Sequence, residues 1–267
     1  MPTLIIPDVH ERFDRLMSAL YPRIERADRV VFLGDWFDAF GPVSLFKVGQ
    51  MCGFINGNID GVGVYDGRFV DRSETDQPWD RIIPATFLLG NHDCHYFFRH
   101  SGFQCSGYNN LKKDVIDANV TQGIIEQFKI STQVGPYLVS HAGYTEQTLQ
   151  YRTDAVEAEA LKAAYAGKFD PLFGAGHARG GWQPVGGPTW LDWNQEFEHI
   201  DDCPQIVGHT NGTNVRVKGP NTTHTQYNKD GTVEVHEPGL QSYCLDTALH
   251  DIAWVEDDGT VTIEWVN

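Results

Sequence analysis

Basic residues are scarce: 20 Lys and Arg stand against 36 Asp and Glu, a net charge of −16 over 267 residues. A surface of that average sign repels nucleic acid and anionic membrane, so neither an extended nucleic-acid face nor membrane association is expected. A local positive site would come more readily from bound divalent cations than from side chains. Cysteines are few and scattered. Cys52, Cys94, Cys105, Cys203 and Cys244 show no C-x-x-C spacing, which argues against a disulfide framework and a thiolate zinc site. They read as reduced thiols in a cytoplasm. No apolar run approaches ~18 residues, and MPTLIIPDVH has no basic segment ahead of its short apolar stretch, so no membrane span or signal peptide is expected. Repeats and low-complexity tracts are also missing.

What is present is a series of short apolar runs that end in polar clusters. TLIIP leads into DVH, RVVFLG into DWFD, ATFLLG into NHD, PYLVS into HAG, and PQIVG into HT. Runs of this length, rich in aliphatic residues, suit strands buried on both faces. Helices are expected between them, at Arg12 to Leu20, Tyr96 to His100, Leu111 to Ala118 and Thr145 to Ala166. From Gln205 onward the texture becomes short strands and turns, with KDGT and DDGT as tight-hairpin signals. Strand and helix in alternation, joined to an antiparallel half, predict an α/β fold: two mixed sheets packed face to face with helices outside, a four-layer α/β/β/α sandwich. No linker divides residues 1–267, so one domain is expected, with insertions at about 39–81 and 167–204. Loops of that length are usually functional or mobile.

The polar clusters place Asp8, His10, Asp35, Asp38, Asn91, His92, His141 and His209 just beyond apolar runs. In α/β sheets such positions line the ligand crevice. Carboxylate, imidazole and amide oxygen all bind Mn²⁺, Fe or Zn²⁺. Of these, two carboxylates, three imidazoles and one amide already exceed the needs of one catalytic ion but suit two that share a bridging carboxylate. Two ions ~3.5–4 Å apart can activate a bridging hydroxide and clamp both ends of an in-line displacement. That is phosphoester chemistry.

The ordered set D-x-H (Asp8, His10), G-D-x-x-D (Gly34 to Asp38), G-N-H-D (Gly90 to Asp93), SHAG (His141) and G-H-T (Gly208 to Thr210) resembles the calcineurin-like metallophosphoesterases. It is most similar to the branch that holds Ser/Thr protein phosphatases, bacteriophage-type phosphatases and symmetrical dinucleoside tetraphosphatases. The resemblance implies that Asp8 and His10 hold a first metal, that Asp35 bridges, and that Asn91, His141 and His209 hold a second. It makes His92 the general acid that protonates the leaving oxygen, oriented by Asp38. A carboxylate neighbour would keep that imidazole protonated near neutral pH. Asp93 reads as a cap of the following helix. Asp246 in CLDTA resembles the family's late Asp-Thr-Gly turn, with Ala248 in place of Gly, and reads as structural. His95, His100, His177, His199, His224, His236 and His250 carry no motif and read as surface or core histidines.

The sequence also departs from the family. Ala39 follows the G-D-x-x-D box and Leu89 precedes G-N-H, where relatives carry Arg, and LDWNQEFEHIDDCPQI holds no Arg. A bidentate guanidinium suits a phosphomonoester dianion, so these losses weaken the protein-phosphatase reading. Arg12, Arg99 and Arg179 are the candidate substitutes, and Trp182, Trp190 and Trp193 could stack on a base or pack within a loop core. Asn211 stands where many nucleases have a second His, which removes an imidazole from the first metal and favours Mn²⁺ over Zn²⁺. The expected function is hydrolysis of phosphomonoesters by a dinuclear metallophosphatase, on a phosphorylated small molecule, nucleotide or phosphoprotein. Cleavage of a diester or dinucleoside polyphosphate is the alternative, and a silent binding module a third.

Overall fold

The computed structural model describes residues 2–65, 68–70, 80–98, 105–219, 234–236 and 241–266. Three apolar runs of the first half, Thr3–Ile6, Arg29–Phe32 and Ala85–Phe87, lie side by side and parallel. The hairpin Asp251–Val255 and Val261–Trp265 pairs antiparallel to them, with Leu4 opposite Trp254, and Glu234–His236 closes the edge of this six-stranded sheet. A second, five-stranded sheet runs in the order Arg216–Lys218, Ser242–Cys244, Gln205–Val207, Tyr137–Ser140, Ser131–Val134. Both sheets are mixed, as expected. The chain after Gln205 does not form an antiparallel half of its own: it feeds both sheets, and Gln205–Val207 runs parallel to both neighbours.

Period-two alternation explains the layers. Ile5, Val31, Ala253 and Ile263 of the first sheet meet Val139, Ile206 and Tyr243 of the second in one buried cluster. Leu4, Ile6, Val30 and Phe32 point the other way, into a core shared with the helices. Phe13–Leu20 contributes Leu16, Ala19 and Leu20, and Asn110–Asn119 contributes Ile116. On the outer face of the second sheet, Leu191, Trp193 and Phe197 cover Val207 and Cys244. This is the four-layer α/β sandwich that the sequence pattern predicts.

Several elements differ from expectation. Thr145 to Ala166 is two helices, Glu146–Leu149 and Asp154–Tyr165. Thr145 and Thr153 each act as an N-cap, with Thr153 Oγ1 accepting from Val156 N at 3.1 Å, and that second cap signal interrupts the helical composition. The helix expected from Tyr96 begins earlier, at Asn91–Phe97, because Asp93 fixes its first turn by accepting from Gly90 N at 2.9 Å. Residues 99 and 100 lie outside the described residues, as do THTQYN and KDGT. DDGT does close a hairpin, where Gly259 (φ +85°) donates to Glu256 O at 3.0 Å. The 39–81 segment contains the helix Leu45–Asn58, capped by Ser44, and an antiparallel sheet of Val62–Tyr65, Arg68–Val70 and Arg81–Ile83. Phe54 of that helix stacks on Trp36 at 5.6 Å, within the main core. Among the described residues no helix is long and apolar enough to cross a membrane.

Candidate active site

Asp8, Asp35, Asn91, His141 and His209 each follow a strand at its carboxyl end, so the layer order brings five distant segments to one edge. The turns that carry them are tight. His10, Asp35, Asp38 and His209 have φ of +46°, +51°, +67° and +66°, a region that costs a non-glycine residue about 1–2 kcal/mol. The glycines in the motifs allow close approach. A Cβ on Gly90 would collide with Asp35 Oδ1, and one on Gly208 with Asp8 Oδ2.

Ring orientation follows from backbone partners. His10 Nδ1 donates to Phe37 O at 2.9 Å and His141 Nδ1 donates to Leu33 O at 2.8 Å, so each ring turns Nε2 inward. The facing atoms converge: His10 Nε2 lies 3.6 Å and His141 Nε2 3.4 Å from Asp35 Oδ2. Asn91 Oδ1 lies 3.1 Å from His141 Nε2 and 2.8 Å from His209 Nδ1. Possible ligand atoms of Asp8, His10 and Asp35 lie within 4.8 Å of one another, and so do those of Asp35, His141 and His209. The two groups share Asp35.

The charge state of this cluster calls for a cation. Burial and Asp246 raise the Asp8 carboxyl well above its usual value. Burial opposes charge on His141, but Asp35 outweighs it and pushes that imidazole up to about 10, so a proton stands in for a cation. Asp8 Oδ2 and His209 Nε2 are buried with no hydrogen-bond partner. An orphaned carboxylate oxygen and an orphaned imidazole nitrogen on residues of this set fit divalent metal.

His92 and Asp38 stand beside this cluster. His92 Nδ1 lies 2.9 Å from Asp38 Oδ2, and His92 N donates to Asp35 Oδ1 at 2.9 Å. Burial opposes protonation of His92, but Asp35 and Asp38 raise it above the ordinary histidine value. Asp38 is held well below the carboxylate range, against burial, by His92, His95 and Tyr96. Three of its partners escaped the sequence reading. His95 Nε2 lies 2.8 Å from Oδ2, Tyr96 OH donates to Oδ1 at 2.7 Å, and Lys112 Nζ donates to Oδ1 at 3.0 Å and to Glu11 at 2.6 Å. His95 is a buried site-adjacent histidine, and its i,i+3 spacing from His92 was the available signal. Lys112 comes from a separate helix and left none. Asp38, His92 and His95 could also hold a metal, but the buried Lys112 ammonium already supplies the positive charge there.

A cavity of about 410 Å³ opens on these groups, lined by His10, Asp35, Asn91, His92 and His209. Arg179 and Trp190 also line it. Arg179 is fixed by Asp192 at 2.8 Å and by Thr210 Oγ1 at 2.7 Å. Trp190 meets His209 edge-on at 5.7 Å, whereas Trp193 stacks on Phe197 at 4.3 Å and Trp182 is 73% exposed. Phe40, 79% exposed, stands at the mouth with its ring 6.0 Å from His10. Arg12 does not line the cavity. Its guanidinium is part-buried near Asp246 and Asp8. Arg99 lies outside the described residues. Asp246, read as structural, lines the cavity beside Asn211, and Ala248 bears the φ of +59° that a glycine would adopt without strain. A larger groove of about 820 Å³ beside Ser131–Gln133 contains none of the motif residues.

The sequence profile described as calcineurin-like phosphoesterase matches residues 1–211. The chain belongs to this family. Its members are metal-dependent phosphoester hydrolases, and the present phosphoesterase is one of them. No curated protein matches it in sequence. Among solved structures it is similar to a cold-active protein-tyrosine phosphatase of a psychrophilic Shewanella, with 12% identity, a TM-score of 0.55, and coverage of 100% of this chain and 80% of that one. Another structure of a cold-active protein tyrosine phosphatase has 15% identity, a TM-score of 0.55, and coverage of 98% and 78%. A protein serine/threonine phosphatase from Saccharomyces cerevisiae has 12% identity, a TM-score of 0.39, and coverage of 100% and 80%. The two cold-active phosphatases, at 12% and 15% identity, are like this phosphoesterase in fold.

Proposed function

We propose that this phosphoesterase hydrolyses phosphomonoesters. Asp8, His10 and Asp35 would hold one divalent ion, and Asp35, Asn91, His141 and His209 a second, with Mn²⁺ favoured because Asn211 replaces an imidazole. Such ions would activate water and neutralise charge on the phosphoryl oxygens. The observation that carries the reading is the shared Asp35 carboxylate with His92 beside it in one cavity. With Nδ1 committed to Asp38, His92 has Nε2 left to give its proton to the departing ester oxygen. Asp38 stays ionised, so it stabilises the imidazolium without taking its proton. Arg179, oriented by Asp192 and Thr210, would meet the phosphoryl oxygens.

A specific observation favours a second reading, a diester or phosphoanhydride such as a dinucleoside polyphosphate. Among the described residues Arg179 is the one arginine lining the cavity, and Phe40 and Trp190 offer flat apolar surface for a base. Metal-stripped protein titrated with Mn²⁺ would be compared on p-nitrophenyl phosphate and bis-p-nitrophenyl phosphate. Faster release from the monoester, saturating at two ions per chain, is expected; diester preference would turn the search to nucleotides, and silence on both would favour a binding module. The substrate classes to follow are phosphorylated small molecules, nucleotides and phosphoproteins.

A further inference from the structure

We propose that His95 is a positioning residue that acts through Asp38 to hold the His92 ring in place for proton delivery; this rests on the phosphomonoesterase reading. One backbone hydrogen bond fixes its tautomer. Cys105 N donates to His95 Nδ1 at 3.0 Å, so that nitrogen is bare and the ring proton sits on Nε2. Nε2 lies 2.8 Å from Asp38 Oδ2, the same oxygen that holds His92 Nδ1. Tyr96 and Lys112 occupy Oδ1. Oδ2 thus faces two imidazoles while Oδ1 faces Tyr96 and Lys112, and this balance of partners sets the carboxylate plane and with it the His92 ring.

The arrangement has one anchor. Cys105 Sγ accepts from Asn91 Nδ2 at 3.0 Å, which points Asn91 Oδ1 at His141 and His209. One residue thereby orients both a candidate ligand amide and the histidine behind the acid. His92, His95 and Tyr96 share the helix Asn91–Phe97, and their i,i+3 and i,i+4 spacing brings all three to one carboxylate. Without the His95 contact, His92 alone opposes Tyr96 and Lys112 at Asp38, so the carboxylate can turn toward them and loosen its hold on His92.

The test compares His95→Phe, which removes the donor, with His95→Gln, whose amide can still reach Asp38. On phenyl phosphate, a poor leaving group, His95→Phe should lower kcat about 10–100-fold, the range for a hydrogen bond to a charged group. On p-nitrophenyl phosphate the loss should stay within about 3-fold, with KM and bound Mn²⁺ unchanged and His95→Gln recovering most of the rate. In a His92→Asn background, His95→Phe should cost nothing further, because coupled residues are non-additive. Imidazole nitrogen NMR of metal-free protein should show His95 as the Nε2–H tautomer. Equal losses on both esters, multiplying losses in the His92→Asn background, or an Nδ1–H tautomer would overturn the proposal. A wild type inactive on both esters would instead overturn the phosphomonoesterase reading, while the tautomer still decides the His95 contact.

Discussion

At the level of single residues the two halves of the cavity should respond differently to substitution. His92→Asn removes a proton donor but no proposed ligand. Turnover should fall about 10²–10⁴-fold on poor leaving groups, while elemental analysis still finds full metal occupancy. Asp35→Asn should lose metal as well as activity, because both ligand groups depend on that carboxylate; two ions retained per chain would refute the sharing. A proton balance follows from His141. In the metal-free protein its imidazole is pushed up to about 10 by Asp35, so at pH 7 it is charged and must lose a proton before it can ligate. Mn²⁺ affinity should therefore rise with pH below about 10, and calorimetry at pH 7 should give a binding enthalpy that depends on the ionisation heat of the buffer. The motif residues were legible because strand ends announce themselves as apolar runs broken by polar side chains. The residues behind Asp38 were not: Glu11 and Lys112 meet 101 positions apart, and no local pattern encodes such a contact.

For helices and strands, caps and glycines decide more than composition does. The stretch Thr145 to Ala166 reads as one long helix because VEAEALKAAYA within it is dense in strong helix formers, yet Thr153 starts a new one. Thr153→Ala should destabilise the protein by about 1 kcal/mol, measured by urea denaturation. Gly90→Ala should be worse than its one methyl group suggests, since the added carbon meets the Asp35 carboxylate; metal binding should weaken together with stability. The helix Leu45–Asn58 was hidden for the opposite reason. Its segment is rich in Gly and Asn, poor helix formers, and tertiary packing of Phe54 on Trp36 overrides that preference.

For the molecule as a whole, the sandwich was legible because alternation on the strands of both sheets leaves only one way to bury Ile5, Val31, Val139 and Ile206 together. The distribution of the last third of the chain between two sheets was not, since strand texture does not name a partner. Metal held by the buried acidic cluster would be a structural element too. Chelation should lower the thermal midpoint, since bound ions add about 2.7 kcal/mol at a hundredfold excess over Kd, and scanning calorimetry with and without EDTA would show it.

The parallel placement of Gln205–Val207 between two other strands bears on how the protein is made. His209 N reaches back to Asp8 Oδ1, at 2.9 Å, across 201 residues. Closing a loop of that span carries an entropy penalty that grows with the logarithm of its length, and non-local pairing of this kind forms slowly. A nascent chain with Asp8, His10 and Asp35 already outside the ribosome still lacks His209 and the strand that delivers it. The proposed second ligand group can close only after His209 has been made, so metal uptake by that group would wait on a contact 201 residues from Asp8.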